Sequence, residues 1–210
     1  MKNVNGIWLP DHEEHLKGFA EGGPYGEWTY QKAKLDAAME YVRGRKLAID
    51  VGGHCGLWSK ELVKLFTHVH AFEPVADHRD CFVRNVKGDF TLYPFALGET
   101  DCMVSIKTMQ GSSGDSWTIP GGSIEMKRLD DFDLAPDFIK LDCEGGELFV
   151  LRGAEKTLLK HRPAICVEQK PGKSKNFALP SDIEAVHYLT RLGYQVRKVI
   201  SGDYLLDFRP

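Results

Sequence analysis

The chain has 210 residues, of which 42% are hydrophobic, and its 27 basic and 30 acidic residues give a net charge of −3. This composition is sufficient for one α/β domain, and without a long basic run it gives no support for nucleic-acid binding. No apolar run approaches the roughly 20 residues that span a bilayer, and five cysteines without C-x-x-C spacing are typical of reduced thiols. We therefore expect a cytoplasmic protein with a single domain over residues 46–210, preceded by an extension and first helix over residues 1–45.

Two apolar runs joined by a glycine-rich turn dominate the first half of the sequence. The first run predicts a buried strand ending at Asp50, followed by a tight turn and a helix over residues 57–66 whose first amides face the turn. The second run predicts the neighbouring parallel strand over residues 69–72, which ends at Glu73. Because Glu73 follows Asp50 by 23 residues, we expect its carboxylate beside the turn, where it can accept both ribose hydroxyls of an adenosine.

The pattern of the glycine-rich turn distinguishes between the nucleotide cofactors that could bind beside it. Asp50, Gly52, Gly53 and Gly56 form a D-x-G-G-x-x-G pattern, which differs from the G-x-G-x-x-G of dinucleotide sites. It suits S-adenosylmethionine, whose amino acid end offers an ammonium group to Asp50 and a carboxylate to the turn amides. The alternative is a tight turn without a ligand, which glycine alone permits.

The remaining elements alternate as in a parallel sheet covered by helices. Residues 194–200 and 204–208 flank Ser201-Gly202-Asp203 as a β-hairpin, so the sheet is expected to be mostly parallel with an antiparallel C-terminal hairpin strand. Residues 110–116 have the composition of a mobile loop, either a connector or a flap over the cofactor. The other predicted strands are residues 90–96, 103–107, 138–143 and 164–167, and the other helices are residues 75–86, 147–160 and 182–192, the last capped by Ser181 and ended by Gly193.

Polar side chains follow the predicted strands at their carboxyl ends, where ligands bind in such sheets. Asp142 and Glu144 follow the strand over residues 138–143, and Glu168 and Gln169 follow the strand over residues 164–167. For Glu144 and Glu147 the alternative is capping of the next helix.

A series of short motifs covers about residues 46–170. The segments are Ala48–Gly56, Ala71–Pro74, Ala96–Gly98, Leu129–Phe132, Ile139–Glu147, Leu151–Ala154, Arg162–Pro163 and Val167–Glu168. On these segments, and in their order, the sequence resembles the FkbM family of S-adenosylmethionine-dependent methyltransferases. The resemblance implies a Rossmann-like class I methyltransferase fold with a seven-stranded sheet and helices on both faces. It also implies methyl transfer to oxygen, most often to a hydroxyl of a small molecule or sugar.

The resemblance also assigns the cofactor contacts. Gly53-His54-Cys55 stands where family members often have Ala-Asn-Ile, and Pro94 stands where Asn is common, so the His54 side chain is free to face cofactor or substrate. The expected contacts are Asp50, Gly52, Gly53, His54, Gly56, Glu73, Pro74, Phe95, Ala96 and Asp142.

Methyl transfer to an alcohol requires a base that removes the hydroxyl proton, or a metal ion. Asp142, Glu144 and Glu168 are the expected catalytic residues because they follow strands beside the glycine turn. Asp142, Glu168 and Gln169 also offer hard oxygen ligands, so Mg²⁺ or another divalent cation is a second interpretation. A purely structural cap at Asp142 is a third.

The N-terminal region carries two further patterns. His12 and His15 are three residues apart instead of the four of zincins, so we interpret His12-Glu13-Glu14-His15 as a polar surface turn. The aromatic residues of this region predict either packing at the sheet edge or a lid over the acceptor. They are Trp8, Tyr25, Trp28 and Tyr30.

Two other functions remain open from the sequence. A cofactor-binding or interaction module that retains the fold without chemistry fits the same motifs. A nicotinamide-dependent oxidoreductase is disfavoured because the G-x-G-x-x-G pattern and a Tyr-x-x-x-Lys pair are both missing. For the methyltransferase we expect a small-molecule or sugar acceptor, with no nucleic acid or membrane partner.

Overall fold

The structure is a computed structural model that describes residues 1–16, 30–109 and 112–208. Three sheets and six α-helices make up the described part of the chain. The strands are β1 (Lys2–Val4), β2 (Ile7–Leu9), β3 (Leu47–Val51), β4 (His68–Phe72), β5 (Phe90–Tyr93), β6 (Ala96–Leu97), β7 (Cys102–Met109), β8 (Ser112–Pro120), β9 (Ile124–Lys127), β10 (Phe138–Leu141), β11 (Ala164–Glu168), β12 (Gln195–Ile200) and β13 (Asp203–Asp207). The helices are α1 (Lys32–Met39), α2 (Ser59–Leu62), α3 (Ala76–Asn85), α4 (Glu147–Arg152), α5 (Glu155–His161) and α6 (Glu184–Arg191).

The main sheet has seven strands in the order β12-β13-β11-β10-β3-β4-β5. The strands from β11 to β5 are parallel, and β13 pairs antiparallel with both β11 and β12. Buried apolar clusters cover both faces of this sheet. Neighbouring residues of β3 show this: Ile49 packs into the cluster on one face and Ala48 into the cluster on the other. The mostly parallel sheet with an antiparallel C-terminal hairpin strand, expected from the sequence, is confirmed.

A second sheet of four strands, in the order β6-β9-β7-β8, was missed by the sequence analysis. The prediction of a mobile loop at residues 110–116 is wrong for residues 112–116, which begin β8 and pair with β7. Residues 110 and 111 lie outside the described residues. The predicted strand over residues 90–96 also divides after Tyr93: Pro94 has no amide hydrogen to continue a ladder, and β6 pairs with β9 instead.

Two predicted helices are shorter or divided. The helix expected over residues 57–66 forms regular α-helix only as α2, and hydrogen-bonded turns continue it to Phe66. The helix expected over residues 147–160 divides into α4 and α5 because the carboxylate of Asp130 accepts the Lys156 and Thr157 amides, at 3.1 and 2.9 Å, and begins a new helix there. Gly153 permits this junction, since a Cβ atom there would lie 2.0 Å from the Gly98 carbonyl oxygen.

The C-terminal helix and hairpin agree with the sequence except at the cap. Helix α6 begins at Glu184, and Ser181 Oγ accepts a hydrogen bond from Ile183 N instead of capping the helix. Gly193 follows the helix with a φ of +96°, which is the left-handed stop that glycine favours. Ser201 and Gly202 both have positive φ in the turn between β12 and β13, as a tight hairpin requires.

The N-terminal hairpin of β1 and β2 packs on α3. The Asn85 side chain holds this contact: its Oδ1 accepts from Trp8 N at 2.8 Å, and its Nδ2 donates to the carbonyls of Trp8 and Cys55 at 2.9 and 2.8 Å. Tyr25 and Trp28 of the predicted aromatic region lie outside the described residues. Within the part of the chain that the structure describes, no helix has the length and apolar character that crossing a membrane requires.

Candidate active site

Two neighbouring chambers open at the carboxyl ends of the parallel strands. The large chamber has a volume of about 660 Å³ and mostly apolar walls, which come from the ends of β3 and β4, from the second sheet and from α4. The small chamber has a volume of about 140 Å³ and polar walls. The residues that line both chambers, and so mark their junction, are Gly52, His54, Gly114, Asp142 and Glu144.

The glycine turn after β3 packs tightly against the end of β10. Gly52 has a φ of +77°, and a Cβ atom on it would lie 2.0 Å from the Asp142 carbonyl oxygen, so only glycine fits there. Four amides of the turn donate within the protein, and the expectation that turn amides receive the cofactor's carboxylate stays a prediction. Gly52 N and Gly53 N donate to Phe72 O at 3.0 and 3.1 Å, His54 N donates to Glu73 Oε2 at 2.8 Å, and Gly56 N donates to Gly53 O at 2.8 Å.

Glu73 lies beside the glycine turn, as its spacing from Asp50 predicts, and it lines the large chamber. Besides His54 N, its carboxylate accepts Val75 N at 2.8 Å and lies 3.2 Å from His78 Nδ1. Burial opposes the charged form, but the hydrogen bond and charge of His78 outweigh it, so the pKa of Glu73 lies below its usual value. Each carboxylate oxygen has two lone pairs, and these three donors use three of the four positions, so one acceptor position remains, on Oε2, for a ribose hydroxyl.

A hydrogen-bonded chain joins the glycine turn to the second sheet and the N-terminal segment. His54 Nε2 lies 2.7 Å from Ser113 Oγ, and that hydroxyl donates to Glu13 Oε2. Glu13 is buried and also accepts Ser113 N at 2.8 Å and Leu16 N at 2.7 Å. The polar surface turn expected at residues 12–15 is therefore wrong for Glu13. Burial, aided by His78, lowers the pKa of His54 to about 4, so its ring is neutral in this chain.

Three carboxylates and three lysines meet beside the chamber junction. Oxygen atoms of Asp142, Glu144 and Glu168 lie within 4.8 Å of one another. Each acidic side chain lies beside an ammonium group, so the lysines offset the negative charge of the cluster. The pairs are Lys140 Nζ with Asp142 Oδ2 at 3.2 Å, Lys173 Nζ with Glu144 Oε2 at 2.5 Å, and Lys170 Nζ with Glu168 Oε1 at 2.8 Å.

The acids of this cluster ionise differently. Burial opposes ionisation of Asp142, but the charges of Lys140 and Lys170 outweigh burial and lower its pKa. Burial and the negative charge of Asp142 raise the pKa of Glu168 to about 8. At neutral pH Asp142 is therefore a carboxylate and Glu168 is mostly a carboxylic acid, an arrangement in which one proton serves two adjacent acids.

Gln169 and Glu147 have structural roles at the base of this region. The Gln169 amide oxygen accepts Ala185 N at 3.1 Å, and its nitrogen donates to Glu147 Oε2 at 3.1 Å. The amide oxygen of Gln169 is thus engaged with α6, contrary to its expected place as a metal ligand. Glu147 Oε1 accepts Cys143 N at 2.8 Å and Gly145 N at 3.2 Å, so it holds the loop before α4, and among the described residues no side chain caps the first amides of that helix.

The residues present do not fit a divalent cation well. A hard cation needs ionised carboxylates that are free to coordinate it. Here the three acids are already paired with lysines, Glu168 is mostly protonated, and the amide oxygen of Gln169 is engaged elsewhere. We therefore derive no catalytic step through a metal ion.

The structure distributes the expected site residues over both chambers. Glu73, Pro74, Phe95 and Ala96 line the large chamber, Asp50 and Gly53 line the small one, and Gly52, His54 and Asp142 line both. Gly56 lines neither, and Glu168 contacts Asp142 without lining either chamber.

Sequence reasoning missed five polar residues of the site: Glu13, Ser113, Lys140, Lys170 and Lys173. The signal for Lys140 was a single charge inside an otherwise apolar strand, Phe138–Leu141. Ser113 carried no comparable signal, because its place depends on the β7–β8 pairing.

The fold and the site define a class I methyltransferase architecture, with the ligand cleft at the carboxyl ends of a seven-stranded, mostly parallel sheet. The model of the methyltransferase FkbM domain matches residues 50–196. The chain therefore belongs to the FkbM methyltransferase family. A search of curated proteins gave no match.

Solved structures agree on the fold. A methyltransferase FkbM from Methylobacillus flagellatus KT is 17% identical with a TM-score of 0.54, over 98% of this chain and 57% of that one. A precorrin-6y C5,15-methyltransferase from Geobacter metallireducens is 14% identical with a TM-score of 0.51, over 97% and 98%. A precorrin 8w decarboxylase from Methanobacterium thermoautotrophicum is 15% identical with a TM-score of 0.50, over 96% and 98%.

Proposed function

We propose that this protein is an S-adenosylmethionine-dependent O-methyltransferase that acts on a hydroxyl of a small molecule or sugar. The observation that carries the proposal is the position of Asp142, an ionised carboxylate at the junction of a large, mostly apolar chamber and a small polar one. Family membership supports methyl transfer. The hydroxyl as the group that accepts the methyl is the step that we propose beyond it.

The large chamber suits the adenosine part of the cofactor. Glu73 presents an acceptor position for a ribose hydroxyl, and Pro74, Phe95 and Ala96 supply apolar surface for a flat base. Walls from β7, β8 and α4 extend the chamber beyond these residues, which gives room for the acceptor. These walls are apolar at Ile106, Trp117 and Phe149, so we expect an acceptor with an apolar body beside its hydroxyl.

Asp142 is the proposed general base. When bound, S-adenosylmethionine supplies a methyl group on a positively charged sulfur, and the protein must activate and align the oxygen that receives it. Asp142 is ionised and can accept the hydroxyl proton at the junction. Glu168 holds a proton next to Asp142 and is proposed to tune the basicity of Asp142 instead of meeting substrate. Glu144 also lines the junction and is proposed to orient the acceptor.

The N-terminal segment is proposed to cover the cleft. Glu13, His15, Leu16 and Tyr30 line the small chamber, and Glu13 is tied to β8 through Ser113. The proposed lid, residues 1–45 of the sequence, would close over cofactor and acceptor and exclude water from the transfer.

Calorimetry on the purified protein tests the cofactor. We expect binding of S-adenosylmethionine and S-adenosylhomocysteine, no binding of NAD, and no change when Mg²⁺ is added. Binding of NAD alone would refute the proposal, and a requirement for Mg²⁺ would overturn the metal-independent site. Retained cofactor binding, with no methyl transfer in a screen of hydroxylated acceptors, would favour a non-catalytic module.

A further inference from the structure

The small chamber raises the question of which group receives the cofactor's carboxylate. The amides of Gly52, Gly53, His54 and Gly56 already donate inside the protein. An amide has one hydrogen to donate, so these four are poor receptors for a ligand carboxylate. A carboxylate that enters this chamber therefore needs a donor other than these four amides, and a charged donor would hold it most strongly.

Lys140 is a buried cation at the wall of this chamber. It lies in β10, the central strand, between Asp50 of β3 and Cys166 of β11 in register, and it is 1% exposed. Its ammonium group lies 5.2 Å from the centre of the Trp58 ring. Among the described residues it donates one hydrogen bond, to Asp142 Oδ2 at 3.2 Å. An ammonium has three donors, so two are left for the chamber that Lys140 lines.

The charges around the small chamber match an amino acid zwitterion. Asp50 and Asp142 present acidic groups for an ammonium, and Lys140 presents an ammonium for a carboxylate. A volume of about 140 Å³ is small for a nucleoside but suits the amino acid end of one. The small chamber shares the wall residues Gly52 and Asp142 with the large one, so the two ends of one ligand would lie side by side in them.

We infer that Lys140 binds the carboxylate of the amino acid end of S-adenosylmethionine and thereby positions the cofactor in the small chamber. This inference rests on the proposed function. Lys170 also lines the chamber, but its side chain is 43% exposed and is paired with Glu168 at 2.8 Å, so it is less fixed and already has an acceptor. Lys140 is held by the strand and by the Trp58 ring, which gives it a preorganised position.

Calorimetry with two ligands isolates this contact. The ligands are S-adenosylmethionine and its decarboxylated form, which keeps the adenosine, the sulfonium and the amine. We expect the wild-type protein to prefer the carboxylated ligand by about ten- to a hundredfold, as a charged hydrogen bond implies. In Lys140→Met this preference should fall to less than about threefold, while affinity for the decarboxylated ligand stays within about threefold of wild type.

Lys34→Met is the matched control, since Lys34 is also a buried lysine, which lies in helix α1, is paired with Asp203 of β13 and lies outside both chambers. It should keep the full preference even if it lowers stability. Equal losses for both ligands in Lys140→Met would assign Lys140 a structural role only. Loss of the preference in Lys170→Met, with Lys140→Met unaffected, would assign the carboxylate to Lys170. Both outcomes would overturn the inference.

The wild-type titration keeps the inference testable if Lys140→Met fails to fold. Equal wild-type affinity for the two ligands means that no residue recognises the carboxylate, which would overturn the inference and leave the proposed function intact. Binding of neither ligand would refute the proposed function together with the inference.

Discussion

Asp142 and Glu168 lie at the carboxyl ends of the adjacent strands β10 and β11, and their carboxyl oxygens are within 4.8 Å of each other. The pKa values of the two side chains are shifted in opposite directions. The pKa of Asp142 is lowered and that of Glu168 is raised to about 8. Two ionised carboxylates at this separation repel each other in a buried site, so one retains its proton. This relationship makes both stability and activity depend on pH.

The first prediction concerns stability. Because the pKa of Glu168 is higher in the folded chain than the value of 4.5 for a free side chain, the folded state holds an extra proton between these two values. Stability from this group is present at about pH 4.5 and is lost as pH rises through about 8. The contribution of Glu168 makes the unfolding free energy of the wild-type chain fall across this pH window. In Glu168→Gln we expect that fall to be smaller by roughly 1 to 4 kcal/mol.

Urea unfolding at a series of pH values, from about 5 to about 9, measures this difference. Glu147→Gln is the appropriate comparison, because burial is the largest cause that raises the pKa of Glu147, to about 7, with a smaller contribution from the charge of Asp142. Its effect should be centred at lower pH. Parallel stability curves for wild type and Glu168→Gln would show that Glu168 ionises normally.

The second prediction concerns the general base. Asp142→Asn removes the acceptor for the hydroxyl proton but keeps the shape of the side chain. We expect kcat to fall by about 10² to 10⁴-fold, while affinity for S-adenosylhomocysteine falls by less than about tenfold. Single-turnover methyl transfer and calorimetry give the two quantities. Full turnover in Asp142→Asn would show that Asp142 is not the general base. Glu144 would then be the remaining candidate for the base at the chamber junction.

The third prediction concerns the ribose contact. Glu73→Gln keeps one acceptor oxygen but loses the charge, so affinity for S-adenosylhomocysteine should fall by about 1 to 3 kcal/mol. Glu73→Ala should also destabilise the chain, because the amides of His54 and Val75 lose their acceptor. Calorimetry and thermal unfolding separate the two effects. Undiminished affinity in Glu73→Gln, with the fold intact, would contradict the ribose assignment.

The sequence was sufficient for the main sheet but not for the second one. The motifs around Asp50, Glu73 and Asp142 lie on continuous apolar strands, and the positions of these residues follow from local pattern alone. The strand β8 begins with Ser112-Ser113-Gly114, a composition typical of loops, and it becomes a strand only because β7 supplies its partner. The Glu13–Ser113 contact spans 100 residues, so no local signal could reveal it.

The fourth prediction concerns this long-range contact. Ser113→Ala removes the hydroxyl between His54 and Glu13, and the buried Glu13 carboxylate keeps only its two amide donors. We expect a loss of about 1 to 3 kcal/mol in unfolding free energy, the cost of an unmet hydrogen bond to a buried charge.

Ser116→Ala is the control, since the Ser116 hydroxyl donates only to the Ser113 carbonyl among the described residues and is half-buried. Urea unfolding compares them, and limited proteolysis reports whether the N-terminal segment is released first. If Ser113→Ala and Ser116→Ala lose equal stability and the N-terminal segment stays protected, the chain from His54 to Glu13 does not hold that segment in place.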